Sequence, residues 1–365
     1  MKVAFRVDAS LVIGSGHLMR CLTLADALRS KGAQCIFLSR DHVGHLHKTV
    51  QERGYPLITL GEVGALPVDV NSPSSYANWL GVEPQRDALE TREILSNQAI
   101  DWLVLDHYGL DAEWEQCLRP VCGQIMAIDD LANRKHDVDV LLDQNLGKVE
   151  QDYQGLVSKS CKLLLGPSYA LLRPDFIALR PDSISRRSQG RLSKLLITMG
   201  GVDLDNATEA VLRALNQCSF VDSIEATVVM GSTAPWLDQV RELTRNLSFS
   251  IELLMNVNNM AELMRDADLA IGAAGSTSWE RCCLGLPTLQ LVLADNQRPI
   301  ASALSQAGAA HLVNRANLKG SLDLLINELL QNSAKLVRMS NVSANVTDGK
   351  GVERVVQHLC EGGKQ

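Results

Sequence analysis

Residues 1–32 read MKVAFRVDASLVIGSGHLMRCLTLADALRSKG, and this stretch decides the fold class. Apolar residues alternate with other residues up to Val7, which is the period-two pattern of a strand. From Leu18 onward apolar residues recur at helical spacing until a glycine ends the pattern. The glycine-rich turn GSGH at 14–17 lies between the strand pattern and the helix pattern. The stretch therefore predicts a strand–turn–helix unit with His17 at the N-terminal end of the helix, beside free backbone N–H groups.

The same alternation of strand and helix continues through the first half of the chain. Runs such as DWLVLD at 101–106 are almost wholly apolar, which is typical of parallel strands covered on both faces. The predicted strands are 2–8, 34–39, 56–60, 101–106, 124–129 and 138–143, and the predicted helices lie near 18–31, 42–53, 84–98 and 111–119.

A polar segment, RPDSISRRSQGRLSK at 180–194, interrupts the apolar rhythm as linkers do. KLLITMGG at 194–201 then repeats the opening pattern of a strand that runs into a glycine turn. We therefore predict an α/β protein with a GT-B-like architecture, in which two Rossmann-like, doubly wound domains face a central ligand-binding cleft. The predicted boundaries are 1–180 for the first domain, 181–190 for a linker, and 191–365 for the second domain with a helical tail.

The composition excludes several classes of protein. The net charge is −7, only 4% of residues are aromatic, and no basic block could follow a phosphate backbone, so we expect no nucleic-acid partner. No run approaches the ~20 apolar residues of a membrane span. Arg6 and Asp8 would interrupt the core of a signal peptide. Nine cysteines without a CxxC pair indicate reduced thiols. We expect a cytoplasmic protein without a membrane partner, and favour a monomer.

The first candidate for chemistry is His17. The turn before it lacks the third glycine of a dinucleotide fingerprint, and no Gly-Lys-Ser/Thr follows to form a nucleotide-triphosphate loop. Packing or capping is the alternative role for this side chain. However, the tip of a strand–turn–helix unit faces the ligand crevice of an α/β sheet, and an imidazole there can serve as a general base near neutral pH.

The second candidate is the segment DLAIGAAGSTSWERCCLGLP at 268–287. Small residues allow the backbone to approach a ligand closely, and a helix start after Gly275 offers N–H groups to a phosphate. Glu280 could accept hydrogen bonds from vicinal hydroxyls such as those of a ribose. The alternative is a capping box in which Thr277 is the N-cap and Glu280 lies three residues later. On spacing alone both interpretations stay open.

Two further segments place polar side chains at strand ends. LVLADNQRPIASAL at 291–304 has a polar burst at Asp295–Gln297, and VLDHYGLDAEWE at 104–115 places Tyr108 at such an end, although half-exposed packing is the alternative for this tyrosine.

The segment DHVGHLHK at 41–48 is a candidate metal-binding site, because His42 and His45 could share a helical face. Because no carboxylate or thiolate completes a site locally, we favour a solvated helix face and expect no metal.

Several motifs occur together in one order along the chain. They are RVDAS (6–10), IGSGHLMRCLTLADAL (13–28), WLG (79–81), LDHYGLD (105–111), AIDDLANR (127–134), LLGPSYALLRPDF (164–176), ITMGGVD (197–203), GAAGSTSWERCCLGLP (272–287) and ADNQ (294–297). Together they closely resemble the UDP-2,4-diacetamido-2,4,6-trideoxy-β-L-altropyranose hydrolases of pseudaminic acid biosynthesis. More distantly, the chain resembles the bacterial glycosyltransferase that adds N-acetylglucosamine to lipid I and has the two-domain GT-B fold.

The resemblance implies an inverting, cofactor-independent UDP-sugar hydrolase in which His17 activates water and the second domain binds UDP. The glycosyltransferase likeness implies backbone contacts from Val257 to uracil, contacts from Ser276 and Thr277 to phosphate, and contacts from Glu280 to ribose. The other positions expected to bind substrate are Gly16, Tyr108, Gly200, Gly275, Asn296 and Gln297, with Tyr108 and Asn296 at the sugar end. A GT-B glycosyltransferase and a non-enzymatic nucleotide-sugar sensor are the rival functions. An insertion at 61–79 has no assigned role.

Overall fold

The computed structural model describes residues 1–61, 63, 76–220, 223–232 and 234–362. It divides into two compact units: unit 1 comprises Met1–Leu171 and Gly351–Gln365, and unit 2 comprises Leu172–Lys350. Most of the 61–79 insertion lies outside the described residues.

Unit 1 contains a seven-stranded sheet in which every pair of neighbouring strands is parallel. The strands are β1 (Lys2–Val7), β2 (Gln34–Arg40), β3 (Leu57–Leu60), β4 (Ile100–Asp106), β5 (Cys122–Ile128), β6 (Val140–Asp143) and β7 (Lys162–Leu165). The helices of its first segment are α1 (Gly16–Ser30), α2 (His47–Glu52), α3 (Pro84–Leu95) and α4 (Ala112–Leu118). The strand order β3-β2-β1-β4-β5-β6-β7 reverses direction between β1 and β4. This topological switch point is where ligands of doubly wound sheets bind.

Alternate residues of each central strand enter two different cores. In β1, Phe5 joins the core on the α1 face, whereas Ala4 joins the core on the opposite face. Phe5 is in register with Phe37 of β2, and the two rings stack with centroids 4.9 Å apart. Because both faces are covered, these strands are mostly apolar, which made them recognisable in the sequence.

The C-terminal helix completes unit 1. In α13 (Gly351–Gly362), the buried residues Val352, Val355, Val356 and Leu359 have helical spacing and join the core on the α1 face. Trp102 Nε1 of β4 donates a hydrogen bond of 3.0 Å to the carbonyl of Leu359. The prediction that residues up to 365 belong to the second domain is therefore wrong for this helix, because its apolar stripe covers the first sheet.

Unit 2 repeats the same topology with six parallel strands in the order β10-β9-β8-β11-β12-β13. The strands are β8 (Lys194–Thr198), β9 (Glu225–Met230), β10 (Ile251–Met255), β11 (Leu269–Ala273), β12 (Thr288–Leu291) and β13 (Ala310–Leu312). The helices are α5 (Pro174–Arg187), α6 (Ala207–Leu215), α7 (Leu237–Thr244), α8 (Met260–Asp266), α9 (Thr277–Cys283), α10 (Arg298–Ala307), α11 (Leu318–Gln331) and α12 (Ser333–Val346). Its switch point lies between β8 and β11.

The predicted linker at 181–190 is mostly helix, since α5 extends through Arg187. Its two arginines bond to other groups of unit 2. Buried Arg187 donates to the carbonyls of Ala267 at 2.7 Å and Leu284 at 2.9 Å, and Arg186 pairs with Asp268 at 2.6 Å. Most buried helices pack through apolar side chains, whereas this one uses arginines that donate to backbone carbonyls. Its sequence is therefore polar and resembled a linker.

The predicted α/β class with two Rossmann-like domains is confirmed, while the central cleft between them stays a prediction. Strand β7 was missed. All nine cysteines are free thiols, as expected. Within the described residues, no helix combines the length and the apolar character needed to cross a bilayer.

The docking of α13 predicts a strong dependence of stability on Leu359, which is fully buried. Leu359→Ala should lower the free energy of unfolding by about 2–5 kcal/mol, because it removes buried methyl groups and leaves a cavity. The measurement is the shift of the urea midpoint followed by tryptophan fluorescence. The matched control is Leu324→Ala in α11, where the side chain is 70% exposed. Equal midpoints for the two variants would contradict the role of α13.

Candidate functional site

The switch point of unit 1 brings two segments of distant sequence together. His17 is the second residue of α1, directly after the turn that follows β1, and Asp106 is the last residue of β4. Because β1 and β4 are neighbouring parallel strands, both residues lie at the carboxyl edge of the sheet. Gly16, which was predicted to bind substrate, is the first residue of α1 at the same edge.

His17 and Asp106 form a buried pair. His17 Nδ1 lies 2.6 Å from Asp106 Oδ1, and the carboxylate side chain has no solvent exposure. A ring nitrogen with a lone pair at this distance would repel the carboxylate, so Nδ1 carries the proton and donates it. The neutral imidazole then has its free lone pair on Nε2, the arrangement a general base requires. About 10% of the His17 side chain stays exposed.

Arg20 completes this arrangement from the same helix. Its Nε and Nη2 atoms each donate to one oxygen of Asp106 at 2.6 Å, a bidentate contact. Burial alone would raise the pKa of Asp106, but the charge of Arg20 and the hydrogen bonds from Arg20 and His17 hold it well below its usual range. Asp106 is therefore an ionised anchor for the imidazole.

Tyr108 lies beside this pair and is buried, which contradicts the half-exposed packing role considered from the sequence. Its hydroxyl donates to Asp130 Oδ1 at 2.5 Å, and Arg20 Nη1 reaches Asp130 Oδ2 at 3.3 Å. Burial and the Asp130 charge raise the pKa of Tyr108, so the hydroxyl stays protonated. Tyr108, Asp130, Arg20, Asp106 and His17 thus form one continuous hydrogen-bonded network.

Three aromatic side chains, Tyr76, Trp79 and Tyr108, pack together beside the imidazole and are called the aromatic cluster below. The ring of His17 meets the ring of Tyr108 edge-on, with centroids 4.7 Å apart, and Trp79 lies 6.1 Å away. Trp79 stacks on Tyr108 at 5.4 Å, and Tyr76 lies within 5.0 Å of both. Such rings offer apolar faces beside a polar base.

A further carboxyl group lies at the end of β6. Asp143 is buried and accepts hydrogen bonds from the Asn145 backbone at 2.9 Å and from the Tyr153 hydroxyl at 2.8 Å. Burial and the nearby Asp130 charge raise the pKa of Asp143 to about 7. This carboxyl group is therefore partly protonated at neutral pH.

The predicted residues of unit 2 follow four strands at the carboxyl edge of the second sheet. Gly200 follows β8 with a φ of +93°, a left-handed conformation that favours glycine. Val257 follows β10 and is half-buried, and the half-buried Asn296 follows β12. A Cβ placed on Gly275 would lie 4.0 Å from Nε2 of Gln297, and the Ala274 N–H donates to the carbonyl of Leu291 at 3.0 Å. The loops after β11 and β12 therefore meet.

The loop after β11 is shaped by Arg281, which is buried under it. Its Nη2 donates to the carbonyl of Ala273 at 2.7 Å and to Ser278 Oγ at 3.0 Å, and its Nη1 donates to Thr277 Oγ1 at 3.3 Å. A Cβ on Gly272 would lie 2.7 Å from the guanidinium, so this position requires glycine. Burial lowers the pKa of Arg281 to about 10, which leaves it charged at neutral pH.

The capping box considered for this helix is wrong. The N-cap of α9 is Ser276, whose side chain makes no cap hydrogen bond, and Thr277 is already the first helical residue. Glu280 is half-buried, and burial raises its pKa to about 7, against the opposing charges of Arg173 and Arg281. Its carboxyl group is thus not engaged in capping and remains a candidate ligand-binding group.

Sequence reasoning missed Asp106, Arg20, Asp130, Trp79 and Arg281. Each lies within a recognised motif, but three of them looked like parts of regular elements. Asp106 ends an apolar strand, and Arg20 and Arg281 lie inside helices that were expected to pack by apolar residues. These three residues could have been found from the sequence, because each is a charged residue at a position that the apolar periodicity predicts to be buried.

The carboxyl-terminal part of the chain matches a known family model. Residues 195–356 match the model described as the glycosyltransferase family 28 C-terminal domain. This range begins at β8 and contains all the predicted residues of the second sheet edge.

Two curated relatives cover most of the chain. It is 26% identical over 309 residues to the UDP-2,4-diacetamido-2,4,6-trideoxy-β-L-altropyranose hydrolase of Campylobacter jejuni, which covers 84% of this chain and 97% of the relative. It is 25% identical to the spore coat polysaccharide biosynthesis protein SpsG of Bacillus subtilis over 98% of both chains. The predicted resemblance to the hydrolase is thereby confirmed.

The solved structures confirm the GT-B-like fold. The crystal structure of MurG from Acinetobacter baumannii matches with a TM-score of 0.68 and 16% sequence identity, and it covers 99% of both chains. At that identity the match concerns the fold alone.

The raised pKa of Asp143 predicts a pH-dependent cost of folding. Because the folded-state pKa of about 7 exceeds the usual value, the protonated group favours folding at acidic pH, and this contribution is lost as pH rises toward 7. Asp143→Asn keeps the shape without the charge. At pH 8 it should raise the free energy of unfolding by about 1–3 kcal/mol, since each pKa unit corresponds to about 1.4 kcal/mol.

The measurement is urea unfolding of both proteins at pH 5 and pH 8. The difference should shrink toward pH 5, where wild-type Asp143 is protonated. A variant that is equally destabilised at both pH values would show that Asp143 is ionised in the folded protein.

Proposed function

We propose that this protein hydrolyses a UDP-linked 2,4-diacetamido-2,4,6-trideoxyhexose of the altrose type to UDP and free sugar, with inversion at the anomeric carbon, in pseudaminic acid biosynthesis. The observation that carries the proposal is the His17–Asp106 pair at 2.6 Å, at the switch point of the first sheet. The name of the Campylobacter relative supports the choice of substrate.

In this proposal His17 is the general base. Asp106 holds the Nδ1 proton, so Nε2 accepts a proton from a water molecule as its oxygen attacks the anomeric carbon. Arg20 keeps Asp106 ionised, so that the imidazolium formed during attack is stabilised by a carboxylate. Asp106 and Arg20 are positioning residues, because they act through His17.

The leaving group in this proposal is the diphosphate of UDP. Attack on a sugar passes through an oxocarbenium-like state, in which negative charge accumulates on the departing oxygen. Arg281 supports diphosphate binding, since its buried charge lies under the Gly272–Thr277 loop and no carboxylate forms an ion pair with it among the described residues. Ser276 and Thr277 would bind the phosphates, Val257 the uracil and Glu280 the ribose. Because UDP leaves readily, no general acid is required.

The sugar would lie against the aromatic cluster. Tyr108 and Trp79 offer stacked ring faces beside His17, and methyl and acetamido groups of a deoxy sugar are suited to such faces. Tyr108, Asn296, Gln297 and the glycines Gly16, Gly200 and Gly275 complete the proposed substrate-binding set.

A GT-B glycosyltransferase is the second candidate, and the match to the family 28 domain favours it. Both functions use the same donor and a base, but only the transferase needs an acceptor alcohol. Incubation with a UDP-linked diacetamido sugar and no acceptor distinguishes them. Proton NMR should show fast release of free sugar with UDP, and the first anomer formed should have the inverted configuration. Donor consumption only after an acceptor is added would identify a transferase.

His17→Asn should reduce turnover by about 10²-fold or more, because a positioned base is lost. UDP affinity should be nearly unchanged, since the nucleotide is assigned to unit 2. The measurements are NMR turnover and calorimetric titration with UDP. His358→Asn, a histidine of α13, is the matched control and should behave as wild type. Loss of UDP binding in His17→Asn would instead assign this histidine a structural role.

Glu280→Gln tests the proposed ribose contact. Loss of a charged acceptor should weaken UDP binding by about 1.5–3 kcal/mol. Because the pKa of Glu280 is raised to about 7, wild-type affinity should also rise from pH 6 to pH 8 as the carboxylate forms, and the variant should lack that part of the pH dependence. Calorimetry with UDP measures both effects, with exposed Glu242→Gln as control. Unchanged affinity at pH 8 would reject the contact.

A further inference from the structure

The loop between β2 and α2 contains a cluster that the proposed function does not use. Asp41, His45 and His47 each offer a ligand atom, and these atoms lie within 4.8 Å of one another. His45 Nε2 is 3.1 Å from Asp41 Oδ1, and the two imidazole rings are 4.0 Å apart between centroids. We propose that Asp41, His45 and His47 form a binding site for a divalent transition-metal ion such as Zn²⁺.

This cluster differs from the one that the sequence suggested. The predicted helix at 42–53 begins only at His47, so His42 and His45 share no helical face. His42 instead lies against Asp8, with 3.5 Å between its Nε2 and Asp8 Oδ2. The missing carboxylate is supplied by Asp41, which the turn of the loop brings beside His45.

The distances fit a tetrahedral ion. Ligand bonds of about 2.0–2.1 Å place two tetrahedral ligand atoms about 3.3 Å apart. The Asp41–His45 distance of 3.1 Å already matches that edge. A nitrogen of His47 must then approach by no more than about 1.5 Å, within reach of a side-chain rotation. Two imidazoles and one carboxylate are ligands that zinc accepts, with a fourth position left for water.

Two features of the unliganded residues also fit an ion. His47 Nε2 is buried and has no hydrogen-bond partner within the described part of the chain. His45 Nδ1 accepts a weak hydrogen bond of 3.3 Å from the His47 backbone, so its Nε2 carries the ring proton. Metal binding at Nε2 would move that proton to Nδ1 and break the weak bond, so the imidazole stays neutral when it binds the ion.

The site lies next to the loop that leads to His17. The backbone N–H of Leu11 donates to the carbonyl of Val43 at 3.1 Å, and a Cβ on Gly44 would lie 2.7 Å from the Leu11 side chain. Leu11 belongs to the turn between β1 and α1. An ion that fixes segment 41–47 would therefore also restrain the turn that carries the proposed base.

The test is titration of the full chain with Co²⁺ and Zn²⁺ alone, followed by absorption and calorimetry. We expect one ion per chain, with cobalt d–d bands and no thiolate charge-transfer band. The thiols are poor competitors, since burial raises the pKa of Cys122 to about 11 and that of Cys161 to about 12. Asp41→Asn and His45→Ala should each weaken binding at least tenfold, while His358→Ala should not.

Melting temperatures without metal show whether the variants fold. In wild-type protein, Zn²⁺ should slow hydrogen exchange at the Leu11 amide. Wild-type affinity in His45→Ala, a thiolate band, or no saturable binding by the wild type would each overturn the proposal. Unchanged exchange at Leu11 would refute the restraint of the turn. None of these readouts depends on turnover, so they are independent of the proposed hydrolysis.

Discussion

The buried carboxylate of Asp106 is the constraint on which the site of unit 1 depends. A carboxylate removed from water costs several kcal/mol unless it is paired and hydrogen-bonded. Here Arg20 occupies both oxygens, and His17 donates to one of them. Because both partners lie in the first turns of α1, the pairing that makes burial tolerable also fixes the helix against β4. The same hydrogen bonds to Asp106 therefore stabilise the packing of α1 on β4 and set the tautomer of the imidazole.

Unit 2 also buries a charged group at its switch point, but there the charge is positive. Arg281 is buried beneath the loop after β11, and its Nη1 and Nη2 atoms donate to a carbonyl and two hydroxyls instead of a carboxylate. An unbalanced buried cation favours an anion nearby, whereas the anionic Asp106 favours a proton on its partner. The two switch points share a strand order but differ in the sign of their buried charge. This difference suits one unit to hold a diphosphate and the other to hold a base.

The sequence predicted those elements whose local pattern is compatible with a single structure. Strands covered on both faces are apolar runs, so most of them were found, and His17 was recognised because a strand–turn–helix unit places its turn at the ligand edge. Asp106 and Arg20 were missed because their partners are 86 positions apart along the chain. The polar α5 resembled a linker, since its arginines bond to carbonyls that only the folded structure brings near. No local pattern could reveal that α13 covers the first sheet.

The choice between hydrolysis and transfer depends on unit 1. The family 28 match begins at residue 195, and binding of a UDP-sugar donor is a requirement that hydrolases and transferases share. In the proposed mechanism, what differs is the nucleophile that would approach His17. This histidine is only 8% exposed, and the ring of Tyr108 lies 4.7 Å from it. A base enclosed in this way favours a water molecule over a bulky acceptor alcohol, because water needs little space and no docking surface of its own. The packing around His17 therefore supports the proposed hydrolysis more directly than any feature of unit 2.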